Sequence, residues 1–60
     1  MNDINLMDIT GIKIEQVETL GRDNGETFVV RRITFKSENK GDFQVTAYGD
    51  EASELSITFE

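Results

Sequence analysis

The chain has no cysteine, no histidine, no proline and no tryptophan. Without cysteine there is no disulfide, no thiolate zinc site and no sulfur nucleophile. Without histidine the commonest general base and metal ligand is missing, and no side chain has an unperturbed pKa near neutrality. A Ser-His-Asp arrangement is therefore excluded. The five glycines sit at turns or run ends and form no phosphate-cradling loop. These absences point away from catalysis, and no cofactor or metal is expected. Long apolar stretches are missing as well. The longest is Phe28-Val29-Val30, far short of the ~20 residues a membrane-crossing helix needs. The opening MNDINLMDITG has neither a basic stretch nor an apolar core of ~7–15 residues. It does not read as a signal peptide, so a cytoplasmic protein is expected.

Bases are scarce. Six Lys and Arg stand against twelve Asp and Glu, for a net charge of -6. Such a balance repels phosphate backbones and anionic lipid. The charge is uneven: residues 1–20 carry -3, residues 21–40 carry +2 and residues 41–60 carry -5. An acidic final third thus follows a basic centre. Sixty residues suffice for one small β domain, with 1–10 as an N-terminal segment and 11–60 as a sheet. A domain of this size buries only ~60% of its unfolded surface. With no disulfide or metal to staple it, association is the remaining source of stability.

What is abundant is β signal. Four runs rich in β-branched and aromatic residues are IKIEQVETL (12–20), TFVVRRITFK (27–36), FQVTAY (43–48) and LSITF (55–59). RDNGE separates the first two, and Asn24-Gly25 suits a two-residue hairpin turn. SENKGD follows, with Gly41 fitted to the left-handed position of a three-residue loop. The last separator, GDEASE, suits one helical turn capped by Asp50. These turns set a register. The first pairs Leu20 with Val29, Glu18 with Arg31 and Ile14 with Phe35. The second pairs Phe35 with Val45 and Ile33 with Ala47. The last run would continue with Leu55 beside Ala47, Ile57 beside Val45 and Phe59 beside Phe43. Period-two alternation then gathers Ile12, Ile14, Leu20, Val29, Ile33, Phe35, Phe43, Val45, Ala47, Leu55, Ile57 and Phe59 on one face.

The expectation is an all-β fold: a four-stranded antiparallel meander in the order 1-2-3-4 with one apolar face. Residues 1–10 offer Ile4, Leu6, Met7 and Ile9 as partial cover, as a short helix or an extra strand. Ten residues cannot cover twelve apolar positions, so the sheet must curl strongly or meet a second surface. A homodimer, or a partner seated on the patch, is expected.

Three constellations invite a functional reading. Asp42, Asp50, Glu51 and Glu54 fall towards one end of the expected sheet. They are candidate contacts for a protein with a basic surface, although edges and loops carry such charges against aggregation alone. Phe28, Arg32, Lys36 and Tyr48 share the opposite face, an arrangement that stacks bases in single-strand nucleic-acid binders; the net charge argues against it. Arg31 and Arg32 are adjacent in a strand and so point to opposite faces.

The string GETFVVRRITFKSENKGDFQVTAYGDE (25–51) resembles small acidic proteins encoded by bacteriophages, in particular inhibitors of host or defence machinery of the anti-CRISPR and anti-restriction type, some of which mimic DNA. The resemblance implies a non-enzymatic inhibitor acting on a protein in a bacterial host. That group shares no fold or site, so no residue role follows from it. Two alternatives stand beside this expectation: a self-assembling module whose main interface is its own dimer, and a single-strand nucleic-acid binder.

Overall fold

A computed structural model describes residues 1–60. β-branched and aromatic runs become strands and there is no α-helix: β1 (Ile9–Ile14), β2 (Glu18–Gly21), β3 (Thr27–Ser37) and β4 (Phe43–Gly49), followed by a 3₁₀ turn at Ala52–Leu55. The fold is all-β and antiparallel, but it is not a 1-2-3-4 meander. The order is β1-β3-β2, with β4 also on β3. Ile33 pairs with both Ile14 and Val45, and Val29 pairs with both Thr19 and Gly49. A strand has two edges, so β1 and β2 share one edge of β3 and β4 takes the other.

Two departures explain the difference. The first expected run is broken. Ile14 faces Ile33 while Glu18 faces Val30, so four steps on one strand span three on β3. The surplus residue lies in Glu15–Val17 and acts as a bulge. Its origin is the first turn. Arg22 N–H donates to Glu26 C=O at 2.7 Å and Gly25 N–H to Arg22 C=O at 3.1 Å. The loop therefore has three residues, Asp23-Asn24-Gly25, with Gly25 at φ 86°. That is a tight turn closed by a left-handed glycine, in place of the expected two-residue turn. One added loop residue moves β2 by one position, and a one-residue slip reverses its faces. Leu20 thus lies on the face opposite the apolar one, and Glu18 stands opposite Val30 instead of Arg31, its carboxylate reaching diagonally to Arg32.

The last expected strand does not form. Glu51 is the N-cap of the 3₁₀ turn, not Asp50. The Arg31 guanidinium donates to Leu55 C=O at 2.9 Å. The Leu55 side chain lies over Gly49, 3.3 Å from where a Cβ would stand. These contacts draw Leu55 over the apolar face and away from the outer edge of β4. The expected pairings of Leu55, Ile57 and Phe59 with β4 are absent. The second hairpin is offset by two residues, with Phe35 opposite Phe43 and Ile33 opposite Val45. An even offset keeps the faces, and Gly41 adopts φ 75° as its turn requires.

The apolar face therefore carries Ile9, Ile12, Ile14, Val29, Ile33, Phe35, Phe43, Val45 and Ala47, with Arg31 among them. The other carries Leu20, Phe28 and Val30 among polar residues. Only Val29 (5% exposed) and Val30 (1%) are buried, one on each face. Residues 1–7 form neither helix nor strand. The radius of gyration is 14.0 Å, against about 10 Å for a compact chain of this length. No helix is long and apolar enough to cross a membrane.

Candidate functional site

The N-terminal segment approaches the apolar face at the β3–β4 hairpin end. Asp8 turns the chain there at φ 61°, and its carboxylate lies 3.6 Å from Lys40 Nζ. Ile4, Leu6, Ile9, Ile12, Phe35, Phe43 and Val45 line an open groove of about 440 Å³ with no polar side chain in its wall. Three of the lining side chains remain substantially exposed: Ile4 at 74%, Ile12 at 61% and Phe43 at 42%. The segment forms one bank of the groove and does not close it. Ile14 and Phe59 are exposed as well.

The expected acidic cluster is divided. Asp50, Glu51 and Glu54 share the turn after β4. Asp42 lies before β4, at its other end, roughly 26 Å away at ~3.3 Å per residue. Its carboxylate is 3.6 Å from Lys36 Nζ and accepts the Ser37 N–H at 3.4 Å. Glu54 has a structural task. Its Oε1 accepts the N–H groups of Asp50 at 2.9 Å and Glu51 at 3.0 Å. Those backbone donors, Glu51 first and then Asp50, hold the carboxyl below its ordinary value. No three acids converge as a metal-binding set.

The aromatic face assembles as the alternation requires. Phe28 and Tyr48 stack with centroids 6.3 Å apart. The Arg22 guanidinium covers Phe28 at 4.7 Å from its centroid. The three line a shallow cleft of about 430 Å³ with Gly49, Asp50, Glu54 and Leu55. The expected cations are engaged internally. Arg32 Nη1 lies 2.9 Å from Glu18 Oε2, a bond that holds Arg32 more firmly protonated, and Lys36 is held by Asp42. Arg22 was not among the expected residues. Its place over Phe28 follows from the three-residue loop, which sets Arg22 opposite Glu26, two residues from Phe28.

Comparisons with protein-family models, with curated proteins and with solved structures find no match.

Proposed function

We propose that this chain is a non-enzymatic binding protein whose apolar groove is the contact surface for a partner protein. One observation carries the reading. A face of nine apolar side chains leaves an open groove between Ile4, Ile12 and Phe43, and exposed apolar patches of this kind mark interaction sites. Burying one large apolar side chain from either partner there is worth ~1.5–3 kcal/mol. The acidic end is the weaker candidate, because Glu54 caps a turn and Asp42 stands apart. The aromatic face is weaker too, because Glu18 and Asp42 neutralise the cations a phosphate backbone would need. The resemblance of residues 25–51 to phage inhibitors supports a host or defence protein as the target class and the bacterial cytoplasm as the setting.

The test is capture from a bacterial lysate by three immobilised forms: the unaltered chain, Ile12→Ser with Phe43→Ser, and Asp42→Asn with Asp50→Asn and Glu51→Gln. The groove variant is expected to lose the captured protein and the acid variant to keep it. Capture that survives the groove substitutions overturns the proposal. Loss in the acid variant alone moves the contact to the charged ends of β4.

A further inference from the structure

The outer edge of β4 carries an interaction that the apolar groove does not explain. Glu15 N–H bonds Arg32 C=O, and Arg22 N–H bonds Glu26 C=O. The even-numbered residues of β3 therefore direct their backbone groups towards β1 and β2, and the odd ones towards β4. In β4 the odd residues Phe43, Val45, Ala47 and Gly49 answer them. The N–H and C=O groups of Gln44, Thr46 and Tyr48 point outward, and no strand lies on that side.

Edges of this kind are normally blunted by charge, proline or a bulge. The β1–β2 edge is blunted. It has a register shift between Ile9 and Gly11, the break at Glu15–Val17, and Lys13, Glu15 and Glu18. The β4 edge, FQVTAYG, has no charge, no proline and no irregular pairing. It is also self-complementary. Antiparallel pairing about a two-fold axis at Thr46 sets Thr46 against Thr46, Val45 against Ala47 and Gln44 against Tyr48. All six outward groups of each copy then find partners, and apolar residues stay on the apolar face. The surface balance leaves room for such a contact. Folded monomers of this mass expose about 4,000 Å², whereas this chain exposes 5187 Å². A standard interface removes ~800 Å² per partner, less than the difference. The chain has 22 backbone hydrogen bonds, against ~40 expected for a folded domain of this length.

We infer that a second copy of this chain pairs antiparallel along β4, centred on Thr46, to make one continuous sheet across a two-fold axis. The inference is independent of the groove's partner, and its test uses the purified chain alone. Sedimentation is followed with rising concentration, together with amide hydrogen exchange. The expected result is a shift from 6.8 kDa to twice that mass. The amides of Gln44, Thr46 and Tyr48 should become protected as the dimer fills. Thr46→Pro removes an outward N–H and no bond to β3, so it should remain folded by circular dichroism and stay monomeric. Thr46→Lys, which sets two like charges on the axis, should also stay monomeric. A 6.8 kDa species at every concentration overturns the inference. So does a dimer that survives both substitutions, or one that leaves these three amides unprotected, since either places the contact on the sheet face.

Discussion

Single residues decide where this chain turns and what its ends can touch. Gly25 and Gly41 hold positive φ with open space where a Cβ would stand. Alanine at either position meets no neighbour, so its cost is backbone strain alone, about 1–2 kcal/mol. Denaturant unfolding of Gly25→Ala and Gly41→Ala checks this, and asparagine, which tolerates that conformation, should cost less. Val30 is the most buried side chain. Val30→Ala should destabilise by about 1–3 kcal/mol in the same experiment. Glu54 predicts a pH dependence. Its carboxyl titrates below the ordinary 4.5 in the folded chain, so its stabilising effect is complete above that value. The effect is lost as the pH falls through the lowered pKa. Protection of the Asp50 and Glu51 amides, taken relative to intrinsic exchange at each pH, should fall in that acid range, and in Glu54→Ala it should be absent at every pH. Arg31 ties the C-terminal turn down while its Nε lies buried without a partner. Arg31→Met should therefore loosen residues 56–60 towards proteolysis and leave the sheet's circular dichroism unchanged.

At the scale of elements, two of the four expected strands were legible, while the run at 12–20 holds parts of two strands and the run at 55–59 forms none. The runs at 27–36 and 43–48 are β3 and β4 to within one residue, because β-branched alternation and flanking turn residues agree there. The second hairpin's faces survive a changed loop length because the offset is even. The first hairpin shows what sequence pattern leaves open. Asn24-Gly25 fits a two-residue turn and also the end of a three-residue one, and the choice decides whether Leu20 faces the apolar side. The chain resolves the conflict between β2 and β1 with the Glu15–Val17 bulge, which keeps Ile12 and Ile14 on that side. The tail at 55–59 has strand composition, but the local cap made by Glu54 and the bond from Arg31 fix its start elsewhere. The Arg31–Leu55 bond, between residues 24 apart in sequence, is not visible in local pattern. The groove was legible as a need for cover with Ile4, Leu6, Met7 and Ile9 as the local candidates; Ile4, Leu6 and Ile9 line it, and Met7 stays exposed outside it. The grouping of Asp42 with Asp50, Glu51 and Glu54 at one end conflicts with the run at 43–48, since a strand between Asp42 and Asp50 holds them a strand's length apart.

For the whole molecule, extent and satisfaction tell one story. The chain spans 42 × 27 × 21 Å, has one buried residue on each face and leaves a straight uncharged edge open. Its stability should therefore depend on concentration. The melting temperature should rise by mass action as a β4-paired dimer fills, and calorimetry at two concentrations about a hundredfold apart checks it. With Thr46→Pro the melting temperature should become independent of concentration. The broken edge of β3 has a kinetic consequence. Because β1 and β2 hold that strand through separate ladders, each can open without the other. Release of β1 with the N-terminal segment leaves β2, β3 and β4 paired and bares the backbone edge beside Thr34 and Lys36. Local opening of this kind is cheaper than global unfolding. Two tiers of hydrogen exchange should result, the faster one over Ile9–Ile14 and its partners on β3. The chain would then behave as a three-stranded core with a detachable clasp, and the clasp includes Ile9 and Ile12, two walls of the groove.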